Sequence, residues 1–590
     1  MTVSAKLSLP IMLSTVLVAC GGGGGGSDTK SSQLSVSVTI QASTSEAKVN
    51  QNVTLTWSAT NASSCTASGG WSGTKGINGS ETLMLPATGD NTFSIQCSGQ
   101  NASPASTAVV IRGLPLCTHT STSDGILVSS PAELQTALTG ASGNGRDDTI
   151  YLAAGVYKPS KTFVYDAKGT TETLSLIGCS AEDVVIDGQD NIRLFHFQKN
   201  GVIGDATAWQ RSTIHNPPYP TLRVIGITIQ NGNEQNDFHI YGYSGAGMLV
   251  ERYHAEFDSV RFLRNKGYDE GGAVNGVANV TVKNSVFKNN YAKSSNGAGG
   301  GAAMSVCGSI TISNSTFESN DRLAVYRGIC MEADYSKLPI AISGSTFGKN
   351  SVALYALGDY GAAAGSIGDL TITNSVFESN IGTAVITRLG NVTINDTKFI
   401  NNGFQSIDVS NAAKCVDYDF YPCDSGGAIK VDNYLMGGGV LTIVGSEFAG
   451  NYAPNYGGAI AMGGVRDCQV TFQREGAPCN PEVTGLNPDH NILVKDTIFA
   501  DNRSHRGAAI AIAKFPLGKK GFQRGNITIE GGSFTNNTAA LITPAAGVVP
   551  VDELQTTVIA AGGSVKQCGV KFSGNSADVI VAAKGGQIVC

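Results

Sequence analysis

Charge is scarce in this chain: Asp, Glu, Lys and Arg make up 15% of its 590 residues, and aromatic side chains 7%. So little charge leaves no material for salt-bridged helical faces, and 74 glycines disfavour helices further. Against 46 acidic residues stand 40 basic ones, a net charge of -6 with a pI near 5.7. That balance supplies no basic face and excludes a nucleic-acid partner. The 13 cysteines contain no Cys-x-x-Cys pair, so a zinc-finger spacing is missing. Gly-x-Ser-x-Gly, Walker and dinucleotide-binding patterns are absent in their structural contexts.

What the chain has instead is repetition. Residues 311–320 read TISNSTFESN and residues 371–380 read TITNSVFESN. Phe, two free positions and Asn recur in ten copies, from Phe262 and Asn265 to Phe572 and Asn575. Three successive gaps between the phenylalanines are 30 residues, one is 22, and two larger ones are 49 and 51. A period in this range is the signature of a solenoid whose units bury apolar surface only against neighbours. Seven and five positions before Phe stand apolar pairs such as Ile310 and Ile312 or Leu370 and Ile372. Their period of two predicts strand. A pair read as turn follows, Asn314-Ser315 or Asp396-Thr397, and after the Asn comes Gly-Gly-Ala-Ile, as at 426–429 and 457–460. Small residues suit a narrow interior where backbones approach closely. Each unit then forms one coil of a parallel β-helix. Phe would stack on Phe and Asn on Asn at about 4.8 Å, the amides joined donor to acceptor.

Gly-Gly-Ala-Ile together with Phe-x-x-Asn resembles the repeats of chlamydial polymorphic outer membrane proteins, and more broadly the pectin-lyase-like right-handed β-helices of bacterial surfaces. The resemblance covers roughly residues 120 to 590 and implies an all-β, right-handed parallel β-helix solenoid. It does not imply one activity, because this fold hosts lyases, hydrolases and adhesins. Neither the Gly-His-Gly of polygalacturonases nor the Trp-x-Asp-His of pectate lyases occurs here, and the paired Asp residues and Arg-x-Lys of the polygalacturonase type are not expected either.

The N-terminal side has its own organisation. The apolar run from Leu7 to Val18 is too short to span a bilayer as a stable helix and fits a secretory signal. Leu17-Val18-Ala19-Cys20 resembles the bacterial lipobox, which implies cleavage of a signal at 1–19, lipidation of Cys20 and delivery to the outer membrane, with the cell surface expected and the periplasmic face the alternative. Residues 20–32, rich in Gly, read as a flexible tether. Residues 33–112 carry alternating strands and resemble bacterial Ig-like β-sandwich modules, with Cys65 and Cys97 placed for a disulfide beside Trp57 or Trp71. The β-helix is then expected over 117–590, plugged near 130–140 by a short helix with Ser130 as N-cap, Pro131 at N1 and Glu133 three after the cap.

The remaining cysteines are even in number, which in an exported chain suggests bridges. Proximity in sequence pairs Cys117 with Cys179, Cys307 with Cys330, Cys415 with Cys423, Cys468 with Cys479, and Cys568 with Cys590.

Function is expected on insertions and exposed positions. Within 403–425, Asp417, Asp419 and Asp424 suit calcium, while Tyr418 and Tyr421 suit stacking on a sugar ring. No other cofactor is called for. Arg466, Arg474, Glu475 and His490 form one further patch, and Asp237, His239, Tyr241, Tyr243, Arg252 and His254 another. Arg503 to Arg506 forms a basic cluster assigned to a solvated turn. Two functions follow: a surface-displayed, lipid-anchored β-helix for adhesion to polysaccharide or a partner protein, or a carbohydrate-active enzyme of the polysaccharide lyase type. The second needs a base and a cation converging on one sugar.

Overall fold

The structure, a computed structural model, describes residues 35–100, 102–114, 125–168, 171–199, 219–234, 245–251, 253–268, 271–292, 301–306, 308–321, 323–327, 338–356, 369–387, 391–403, 426–431, 440–462, 489–512, 524–539, 558–560, 564–575, 580–582 and 587–590. The chain divides into two compact units, Met1–Leu116 and Cys117–Cys590.

In the first unit, strands Ser37–Ala42, Asn52–Thr60 and Asn78–Met84 form one sheet. Glu46–Lys48, Ala102–Leu114, Gly89–Gly99, Ser64–Gly69 and Gly73–Lys75 form a second. Alternation decides what each sheet buries: in NVTLTWSAT, Val53, Leu55, Trp57 and Ala59 point inward. They share one core with Phe93, Ile95 and Ile111 of the second sheet. The two tryptophans pack edge to face, 5.1 Å apart. Their indole N–H groups donate to Gly76 and Ser94 carbonyls. Cys65 and Cys97 are disulfide-bonded and sit directly opposite one another on adjacent strands of the same sheet. An immunoglobulin bridge joins two sheets, so this one departs from that pattern.

The second unit is a right-handed parallel β-helix built of three long parallel sheets of 15, 13 and 13 strands. One coil shows the logic. Ile310–Ser313 belongs to the first sheet and buries Ile310 and Ile312. Asn314 turns the corner at φ 48°, a left-handed conformation that Asn tolerates and β-branched residues do not. Thr316–Glu318 enters the second sheet with Phe317 inward; Ser319 turns at φ 54°, and Leu323–Arg327 completes the coil in the third.

Three internal columns hold the coils in register. The ten phenylalanines stack nearly parallel; centroids from Phe262 to Phe399 lie 4.7–4.8 Å apart, and the last step, Phe534 to Phe572, is 5.2 Å. Such contacts are worth about 0.5–1.5 kcal/mol each beyond area burial. The asparagines form the amide ladder expected of them. Asn350 Oδ1 accepts from the backbone N–H and side-chain amide of Asn320, both at 3.0 Å, while its own Nδ2 donates to the Phe317 carbonyl and to Asn380 Oδ1. The third column goes beyond the sequence reading. Ser315, in the turn that the sequence predicts, is buried: its hydroxyl donates to the Ser313 carbonyl, and its oxygen accepts from the Ser285 N–H. Ser345, Ser375, Thr397, Ser446 and Thr497 continue the ladder.

Close approach explains the Gly-Gly pairs. A Cβ on Gly458 would stand 2.2 Å from the Ala508 carbonyl oxygen, and Gly457 adopts φ 61°. The helix Pro131–Ala141 lies at the start of the coils, burying Leu134, Ala137, Leu138 and Ala141. Ser130 Oγ accepts from the Glu133 N–H, but the Glu133 carboxylate bonds the N–H and hydroxyl of Ser129, one residue earlier than a capping box requires. Cys568 and Cys590 are disulfide-bonded in the last described coil.

Candidate functional site

The three sheets of the β-helix present three different outer chemistries. Because side chains alternate along a strand, the residues not in the core form straight outward files, one residue per coil.

On the first sheet the register aligns Thr281, Thr311, Ala341, Thr371, Thr393 and Thr442. Beside them run Ser313, Ser343, Thr373 and Asn395. All are exposed or half-buried, and from Thr311 to Asn395 none carries charge. This face offers rows of hydroxyls at about 4.8 Å spacing.

The second sheet is ionic. Lys288 and Lys349 flank Glu318, at 2.7 and 3.7 Å, and Lys398 pairs with Glu447 at 3.1 Å. The hydrogen bond from Lys288, helped by both lysine charges, holds the Glu318 carboxyl below its ordinary range against an opposing burial effect. These pairs are solvated and contribute little to stability.

The third sheet is covered. Its outward residues Leu249, Asn275, Ser305, Ile386, Lys430 and Ala461 are buried, unlike their counterparts on the other two sheets. At its N-terminal end polar groups accumulate: His196 and Gln198 project outward from Phe195–Lys199, with Glu251 on the next coil and the buried ion pair of Arg193 with Glu234 beside the strand's start. His196 Nε2 stands 3.6 Å from Glu251 Oε2. Arg327, at an inward level of this sheet shared with Val306, donates Nη1 to the Leu338 carbonyl at 2.7 Å.

A polar corner joins the early coils between the second and third sheets. Asp187 accepts hydrogen bonds from Gln230, Asn231 and the Gln189 N–H, and Arg264 ties the far ends of Asn231 and Gln230 at 2.9 and 3.0 Å. Lys266 pairs with Asp190. Arg264-Asn265-Lys266 is an Arg-x-Lys triplet that escapes the sequence reading; both cations are committed to these bonds and Asn265 heads the amide ladder. Burial alone would raise the Asp187 pKa, but the three donors and the Lys158 charge hold it below the usual value. A carboxyl depressed in the native state contributes stability above its unfolded pKa of about 3.9 and loses it as pH falls through the native value. Acid unfolding of Asp187→Asn is therefore expected to be less steep below about pH 4 than that of the parent, measured by circular dichroism across the acid range.

Of the sites singled out from sequence, Asp417, Tyr418, Asp419, Tyr421 and Asp424 lie outside the described residues. So do Cys20, Cys117, Cys307, Cys330, Cys415, Cys423, Cys468 and Cys479, together with Asp237, His239, Tyr241, Tyr243, Arg252, Arg466, Arg474 and Glu475. Cys179 is disulfide-bonded. His254 is described: its Nδ1 lies 3.0 Å from the Asn279 amide, Tyr219 meets it edge-on, and burial lowers its pKa, favouring the neutral ring. Arg503–Arg506 is not a turn but a strand, paired with Tyr452–Tyr456 and Thr538–Ala539. Among the described residues no group of three or more His, Cys, Asp or Glu is placed to hold a metal. No described helix is long and apolar enough to cross a membrane.

No family model and no curated protein matches the chain. Among solved structures, the catalytic domain of a GH87 α-1,3-glucanase in complex with tetrasaccharides aligns at TM-score 0.41 with 11% identity, over 88% of this chain and 78% of that one. A mannuronic acid specific polysaccharide family 6 lyase from human gut microbiota aligns at TM-score 0.29 and 10% identity, over 76% and 87%. A family 28 exopolygalacturonase of Yersinia enterocolitica aligns at TM-score 0.22 and 9% identity, over 94% and 98%. At such scores the likeness carries nothing about activity, and the fold stands on the strand pairing itself.

Proposed function

We propose that this protein is a lipid-anchored β-helix of the bacterial outer membrane, displayed at the cell surface, that adheres by binding neutral polysaccharide along the outer face of its first sheet. The observation that carries this reading is the uncharged file from Thr311 to Thr393, which presents a hydroxyl in every coil but that of Ala341, with Ser313, Ser343 and Thr373 beside it, on a rigid support. A polymer with hydroxyls at regular intervals can exchange its water hydrogen bonds for these over several coils. Each exchange gains little, so useful affinity arises only from many at once. Absence of charge on this strip fits a neutral glycan better than a uronate. The lipobox-like Leu17-Val18-Ala19-Cys20 and the glycine tether support the placement.

The test has two arms. Metabolic labelling with a fatty-acid analogue should mark the native chain and not Cys20→Ser, and a protease added to intact cells should release the β-helix. Binding to immobilised neutral polysaccharides should weaken when Thr371→Lys and Thr393→Lys are combined, while a matching pair of changes on the second sheet leaves it unaltered. Binding indifferent to the threonine file would dispose of the adhesive face. Release of unsaturated uronate from alginate or pectin, followed in the ultraviolet, would establish the lyase alternative instead.

A further inference from the structure

We propose that His196, Gln198 and Glu251 form a binding site for one first-row divalent cation of the zinc type on the outer side of the third sheet. His196 and Gln198 are two residues apart on one strand, so both project from the same face. Glu251 stands level with Gln198 on the next coil, since Val250 pairs with Phe197 and the Glu251 N–H donates to the Phe197 carbonyl.

All three residues are largely buried, and two of the donor atoms are without a partner. Gln198 is 8% exposed and its Oε1 has no hydrogen-bond partner. His196 Nε2 is likewise buried without one. Its separation of 3.6 Å from Glu251 Oε2 is beyond hydrogen-bond length. Leaving such groups dry and unpaired is unfavourable. A proton on the imidazole would supply a partner for one oxygen only, and the Gln198 acceptor would stay unmet. A cation serves all three at once.

Distance and donor type narrow the ion. Zinc sits about 2.0–2.2 Å from imidazole nitrogen and carboxylate oxygen, so one ion fits between atoms 3.6 Å apart with an open, roughly tetrahedral angle. Calcium takes oxygen ligands at about 2.3–2.6 Å, and an imidazole does not suit it. The third donor is an amide, which leaves the site without a third His, Cys, Asp or Glu. The flanking pair of Arg193 with Glu234 is internally neutralised and stays outside the donor set.

The test uses the full mature chain, stripped with a chelator and dialysed against zinc, with metal content read by mass spectrometry and cobalt substitution read by visible absorption. One equivalent is expected, with affinity about 100-fold weaker in His196→Gln and Glu251→Gln, and unchanged in His254→Gln. Gln198→Leu, which replaces the amide with an apolar side chain, provides a variant suited to the covered face and should weaken binding about tenfold. Zinc should raise the melting temperature of the parent and not of the two ligand variants. No uptake by the parent, or equal uptake by parent and Glu251→Gln, overturns the site.

Discussion

Asn350→Leu is expected to destabilise the β-helix by about 4 kcal/mol or more. Leucine fills the space but accepts and donates nothing. The backbone N–H and the side-chain amide of Asn320 lose their shared acceptor, and the Phe317 carbonyl loses its donor. All of these groups are buried at the corner, where water cannot replace what is lost. Unmet buried groups cost about 1–3 kcal/mol apiece, more than a paired bond contributes in net terms, so the loss exceeds that of simple truncation. Phe347→Ala, in the same coil, opens a cavity in the aromatic stack and is expected to cost about 3–5 kcal/mol. Urea unfolding followed by circular dichroism measures both. In a solenoid the damage should begin locally, so limited proteolysis ought to cut first near residue 350. A midpoint shift no larger than that of the exposed Thr311→Val would remove the amide column from the account of stability.

The second large effect belongs to the N-terminal sandwich. The bridge between Cys65 and Cys97 closes 32 residues of a unit with a modest core. A closed loop of that length restricts the unfolded chain by about 3–4 kcal/mol in the chain-entropy account. Cys65→Ala with Cys97→Ala should lower the sandwich's unfolding midpoint by that amount and leave the β-helix transition in place. The two units have separate cores, so their transitions should resolve in a calorimetric scan. Coincident loss of both transitions would contradict that separation.

Legibility of the sequence followed the period. Phe317 and Asn320 could be assigned their columns because their neighbours lie 30 residues away on each side and chemistry repeats with them. Asn314-Ser315 was legible as a turn, while the ladder its hydroxyl makes was not. Asn-Ser is ordinary turn composition, and only the stacking of coils reveals that the hydroxyl faces inward while its neighbour Asn314 bends the chain. The glycine pairs were legible as close approaches, though not which carbonyl they meet. His196, Gln198 and Glu251 gave no signal. Their adjacency depends on pairing Phe195–Lys199 with Met248–Val250 across about fifty residues that follow no period. The Arg503 strand was hidden likewise, since two further short strands are needed to make it one.

Thirty residues from Phe317 to Phe347 carry the chain once around the axis and set it down on the same spot, one storey higher. The number of storeys can therefore change only by whole circuits, although the loops within a circuit vary freely, since Phe377 and Phe399 stack across 22 residues and Phe448 and Phe499 across 51: a deletion of one full circuit would let Phe, Asn and Ser re-engage across the gap, whereas losing one strand of a circuit would break its sheet and its column. The near-identical segments 311–320 and 371–380, two storeys apart, have the form that copying of intact circuits would leave behind. Growth by duplication, for a chain of this kind, leaves the cross-section unaltered.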